Sequence, residues 1–420
     1  MNTKSKPVSE NPTAHQPLRS FREPRATEWH KLDATEQDSL SDDERKQAKS
    51  RAEHARDRLE QTLLAALKME HVMILAGSGC SYGVVGSNGS KGPSMTELWN
   101  TVVGSEATES AKKVAGRVQY NIENKDIEAF LSQIEGWLSL MGDDAEVSAF
   151  LKTAKQNILD KCGGFIEGAP LTAHKSFLHR LSRRRVRDQR LKVFTTNYDL
   201  CFERAAAELG CIPIDGFSFS NPRHYDPRFF DYDIIRRTRS GDKQSTYLEG
   251  VFQLYKLHGS VNWEKQNNGT IKEAQQPDPE RACLIYPASG KYQKSYDQPY
   301  LESISQYLAA IREPNTCVLV VGFGFNDDHL SQPLLSSVQS NPHLRVIIVD
   351  PSLQDKAENE GEANRFHKAL FEASESGEDV WFINATFDQF AELIPDLKSL
   401  TPPERLFLAV QGTQKGAGHD

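Results

Sequence analysis

KVFTTNYDLCFERA, residues 192–205, is the stretch on which the fold turns. Val193 and Phe194 read as a short buried strand, and the residues after Asp199 read as a helix. Between them stands Thr195-Thr196-Asn197-Tyr198-Asp199. Two hydroxyls, an amide and a carboxylate at a strand end admit two readings. They can cap the helix, because Thr, Asn and Asp accept hydrogen bonds from the free N–H groups of a first turn. They can also face a ligand, because α/β sheets bind ligands just outside the carboxyl ends of their strands. The stretch by itself fits both.

Further apolar runs share the pattern at 71–75, 252–257, 317–321, 345–349 and 380–383. The stretches between them are long enough for crossovers, which predicts an α/β fold with a Rossmann-like, doubly wound parallel sheet. Ile127 to Leu140 and Leu171 to Leu181 have helical periods, so residues about 95–190 are expected to form a mostly helical second lobe. Residues 1–40 are polar, carry prolines at 7, 12, 17 and 24, and read as a disordered or partner-ordered arm. Ser41-Asp42-Asp43-Glu44 fits a capping box. Behind it Ala48, Ala52, Ala55, Leu59, Leu63 and Leu67 mark an amphipathic helix within 41–70. Residues 404–420 read as a flexible tail.

The chain of 420 residues is 38% hydrophobic and 26% charged, enough for a sizeable core. A net charge of −8 argues against a surface built as a whole to grip nucleic acid. The N-terminus lacks the apolar core of a secretory signal. The longest mostly apolar stretch, Cys317 to Phe325, is nine residues, far short of the roughly 20 that span a bilayer. A cytoplasmic protein is expected. The six cysteines never approach CxxC spacing and HExxH is absent, so neither a zinc ribbon nor another metal site is expected.

Each strand end is loaded. The first gives AGSGCSYG (76–83), where Gly77-Ser78-Gly79 can bring N–H groups close to a phosphate or simply make a tight turn. The third gives YKLHGSVNW (255–263), with His258-Gly259. The fourth gives VVGFGFNDDHL (320–330), and the fifth ends at Asp350. Caps explain each end separately; a nucleotide in one crevice explains them together.

In this order the motifs resemble those of the sirtuin family, specifically its divergent bacterial branch. GSGCS (77–81), Pro93-Ser94, TTNYD (195–199), LHGS (257–260), GFGFNDD (322–328) and IIVD (347–350) stand where that family has its NAD-binding motifs. The likeness spans roughly 65–400 and implies an NAD-binding domain over 71–403. TAHKSFL (172–178) looks like the helix before the Asn strand, with His174 structural. The family's deacylases carry a four-cysteine zinc module and an acid and arginine after the loop proline. Here the cysteines are unpaired and Ser94-Met95-Thr96 follow Pro93. The resemblance therefore implies an NAD⁺ glycohydrolase of bacterial antiphage defence, oligomeric, with a HerA-type hexameric ATPase as partner. It implies catalytic roles for Asn197, His258 and Asp199. Gly77, Ser78, Gly79 and Ser81 would hold the pyrophosphate, and Thr196, Gly322, Gly324, Phe325 and Asp350 the adenosine side. The alternatives are a protein deacylase or ADP-ribosyltransferase, and a non-catalytic module sensing NAD or ADP-ribose. Finally, RLSRRRVRDQRLK (180–192) is either a solvated or docking helix face or a nucleic-acid contact.

Overall fold

The computed structural model describes residues 19–34, 41–182, 184, 188–237, 246–284, 298–359 and 361–396. Its centre is a nine-stranded sheet. Six of those strands are the six apolar runs: β3 (His71–Ala76), β4 (Lys192–Thr195), β8 (Val251–Lys256), β12 (Thr316–Val321), β13 (Leu344–Val349) and β14 (Val380–Asn384). They lie side by side, all parallel, in the order β8-β4-β3-β12-β13-β14. Numbered along the chain that order is 3-2-1-4-5-6, the doubly wound arrangement. The winding reverses between β3 and β12. Ligands of such sheets bind above that point.

Strands covered on both faces need apolar side chains at every position, which is why β12, TCVLVV, is buried throughout. On one face Val72, Ile74 and Ala76 pack beneath α1 (Asp42–Leu67), α6 (Thr172–Leu181), α7 (Cys201–Leu209) and α12 (Phe387–Leu393). On the other, Met73 and Leu75 pack beneath α8 (Tyr300–Ala310), α9 (Asp328–Ser340), α10 (Leu353–Glu358) and α11 (Arg365–Ser376). The capping box expected at Ser41 is present, with Glu44 returning the bond.

A separate lobe is built from α2 (Met95–Val102), α3 (Glu109–Arg117), α4 (Ile127–Met141) and α5 (Ala145–Gly164) around Trp99, Phe130 and Ile158. Helix α6, which the sequence reading places in the insertion, buries Phe177 and Leu178 in the main core instead. The lobe also rests on a three-stranded sheet of β9 (Gly259–Lys265), β10 (Ile271–Glu273) and β11 (Ala282–Leu284), through Val261 and Leu284. β5 (Ile212–Ile214) extends the main sheet beside β8, and β6 (Ile235–Arg236) pairs with β7 (Thr246–Tyr247).

The expected N-terminal arm needs correction over 19–34. β1 (Ser20–Arg22) runs antiparallel to β14 and β2 (His30–Lys31) pairs with β1. Phe21 is fully buried there, and Arg22 pairs with Glu375. Residues 1–18, and the expected tail 404–420, lie outside the described residues. Among the described residues no helix is long and apolar enough to cross a membrane.

Candidate functional site

Above the switch point lies a crevice enclosing about 190 Å³. Its floor comes from three strand ends: Gly77, Ser78 and Ser81 after β3, Thr196 to Asp199 after β4, and His258 after β8. Phe323, Gly324, Asn326 and Asp327 come from the β12–α9 loop, and Pro93, Met95, Leu98, Cys162 and Phe165 close it from the lobe side.

Asn197, Asp199 and Ser81 are one unit. The Asn197 side-chain amide donates to Ser81 Oγ at 3.0 Å, and Ser81 Oγ donates to Asp199 Oδ2 at 2.7 Å. The other Asp199 oxygen, Oδ1, accepts the backbone N–H of Cys201 at 3.0 Å, at the start of α7. The carboxylate therefore caps a helix with one oxygen and anchors the crevice floor with the other. All three side chains are buried. Burial and the Asp199 charge together push the Cys201 thiol far up, which disfavours its thiolate.

Lys256 secures the same loop from below. It is 2% exposed, and its ammonium donates to the carbonyls of Tyr198 and Asp199 while pairing with Glu203 at 3.0 Å. Burial raises the Glu203 carboxyl even though Lys256 opposes it. No motif in the sequence flags Lys256; only its place two residues before His258 hints at it.

His258 sits in the turn from β8 to β9, held by the Leu257 N–H on Thr195 O at 2.8 Å. Gly259 has φ +87° and presses against the Cys283 carbonyl, space that no side chain can share. The His258 Nε2 lies 3.4 Å from His329 Nε2, a residue in the first turn of α9 that the sequence reading passes over.

The other expected site residues divide. Gly77, Ser78, Thr196 and Gly324 line the crevice, as do Ser81, Asn197, Asp199 and His258. Gly79 and Gly322 instead face each other where β3 and β12 end; a Cβ on Gly79 would stand 2.6 Å from Gly322 Cα. They allow the close backbone crossing. Phe325 points into the core against Phe323 and His367, so its side chain does not line the crevice. Asp350 accepts from Ser352 N and Oγ at 2.8 and 2.6 Å and pairs with Lys356. Burial would raise its carboxyl, but Lys356 and Ser352 outweigh that and hold it low. His174 is buried between Phe202 and Phe387, and burial lowers it to about 4 against a smaller opposing pull from Asp199. Of the basic run, Arg180, Arg184 and Arg190 are engaged within the fold, on main-chain carbonyls and Asp233. Positions 183 and 185–187 lie outside the described residues. All six cysteines are free thiols.

Sheet order defines a Rossmann-type α/β protein with a crevice at the switch point. Within it, residues 191–371 match the family profile described as the SIR2-like domain. One similar solved structure is a Sir2 homologue variant in complex with ADP-ribose, 14% identical, with a TM-score of 0.39 over 84% of this chain and 98% of that one. Another, titled for the mechanism and regulation of Sir2 enzymes, is 13% identical with a TM-score of 0.33 over 76% and 96%. A search of curated proteins gave no match.

Proposed function

We propose that the chain binds NAD⁺ in this crevice and hydrolyses its nicotinamide–ribose bond, releasing nicotinamide and ADP-ribose. The observation that carries the reading is convergence: Asn197 after β4 and His258 after β8 line one crevice at the switch point. The match of 191–371 to the SIR2-like domain supports it.

The chemistry asks for little machinery. Nicotinamide leaves from a cationic ring nitrogen and takes the bonding pair, so the transition state is oxocarbenium-like at the ribose carbon. A water then adds there and loses a proton. Asn197 would hold the water or ribose hydroxyls against that carbon, its amide oriented by Ser81. His258 would take the proton, the general-base task that imidazole performs most often. Asp199 acts through Ser81 and is a positioning residue. Met95, Leu98, Phe165 and Phe323 supply an apolar wall fitting a planar nicotinamide ring.

Chromatography of the nucleotides after incubating NAD⁺ with the full chain tests the reading directly. Asn197→Ala and His258→Ala should each lower nicotinamide release by about 10²–10⁴-fold, the usual cost of a lost general base or positioning group. Near-full activity in either variant would remove that residue from the mechanism. Service as an NAD-depleting effector of antiphage defence, beside a HerA-type ATPase, is supported by the motif resemblance. Repeating the assay with and without such an ATPase tests that pairing.

A further inference from the structure

We propose that His258, Asp327 and His329 form a site for one divalent transition-metal ion, zinc above all, on the wall of the crevice. One ligand atom from each lies within 4.8 Å of the other two. The spacing of the imidazoles is the sharper observation. Their ring centroids are 5.4 Å apart and their Nε2 atoms 3.4 Å apart, so the two rings approach through their nitrogen edges. That is longer than the roughly 2.9–3.0 Å of a good hydrogen bond from nitrogen. Two imidazole nitrogens each about 2.0–2.1 Å from a tetrahedral zinc ion stand about 3.3–3.4 Å from each other. The pair has the separation of metal ligands.

Two neighbouring segments bring the three side chains together. His258 is fixed by the β8–β9 turn, and Asp327 and His329 share the start of α9, two positions apart. Two imidazoles and one carboxylate leave at least one coordination position open, the pattern of a site that exchanges ligands rather than a closed structural one. Imidazole donors favour zinc, copper, iron or nickel over magnesium and calcium. The site lacks thiolate, unlike a cysteine module.

Occupancy has a functional consequence, which rests on the NAD⁺ reading. A metal bound to Nε2 takes the lone pair that His258 would use to accept a proton. The loaded chain is therefore silent, and removing the metal restores it. A destructive activity would then answer to free zinc.

The test uses the tag-free full chain, dialysed against a chelator and then titrated with Zn²⁺ or Co²⁺. One equivalent should bind by elemental analysis, and Co²⁺ should give tetrahedral visible bands without thiolate charge transfer. His329→Gln and Asp327→Asn should each weaken binding by at least about 100-fold, since even groups that merely orient ligands are worth 10–100-fold. Circular dichroism of both variants should match the parent. Absence of stoichiometric binding, or parental affinity in both variants, overturns the site. Zinc should suppress nicotinamide release by the parent chain and spare it in His329→Gln at equal zinc. If zinc binds but cleavage continues, the block is overturned while the site stands. If NAD⁺ is never cleaved, the binding arm still decides the metal site.

Discussion

Asp199 answers the question that TTNYD poses, because it does both jobs at once. Its two oxygens serve different masters: one satisfies the helix start at Cys201, the other fixes Ser81 and through it Asn197. Ser81 is the vulnerable link. Removing its hydroxyl strips Asn197 of its acceptor and leaves Asp199 Oδ2 buried with one partner fewer, at about 1–3 kcal/mol. Ser81→Ala should lower kcat for NAD⁺ by up to about 100-fold, the scale on which small misplacements act, with KM little changed. Ser81→Thr, which keeps the hydroxyl, should restore most of it. Parental kcat in Ser81→Ala would show that Asn197 needs no such support. At this scale the sequence showed which polar groups stand at strand ends, but not which of them are spent on each other. Ser81, expected to grip a pyrophosphate, is engaged by two side chains; Phe325, adjacent to a lining glycine, turns inward.

Elements were legible where burial writes itself into composition. β12 and β13 are covered on both faces and read as unbroken apolar runs, so the six central strands could be found from the chain alone. β1 could not. It is three residues, Ser-Phe-Arg, in a polar, proline-bearing segment, and its pairing partner β14 lies at the far end of the chain. Its contribution is large nonetheless, because Phe21 is fully buried and contacts Trp381 and His30. Phe21→Ala should cost about 3–5 kcal/mol, the range for emptying a buried phenylalanine site. Thermal or denaturant unfolding would measure it. A loss under about 1 kcal/mol would mean that β1 is not integral to the sheet in solution. The small sheet of β9 to β11 escaped notice for a related reason: short strands with mixed faces carry little periodicity, and they are buried partly by the helical lobe and partly by Phe217 and Tyr300.

For the whole molecule the decisive quantity is size. About 190 Å³ is less than the roughly 300 Å³ at the lower end of small-molecule sites, so a bound dinucleotide either extends beyond the mouth of the crevice or widens it. The wall placed to yield is the segment over 84–93. It is a small hairpin with a bridge between Val85 and Lys91, tied to the segment after α5 by the Ser87 N–H on Glu167 O at 2.9 Å. Gly92 packs directly on the Ser81 carbonyl, so displacement of the hairpin opens the floor. The strands beneath have no such freedom, since β3 and β12 are locked by six paired positions and the glycine crossing. Hydrogen exchange on the His258→Ala chain, which should bind NAD⁺ without consuming it, separates the two. On adding saturating NAD⁺ the amides of Gly86, Ser87 and Gly89 should change exchange rate by at least about fivefold, roughly 1 kcal/mol of local opening, while those of β3 and β12 hold steady. Tight NAD⁺ binding with an unchanged hairpin would mean that the dinucleotide is seated without displacing it.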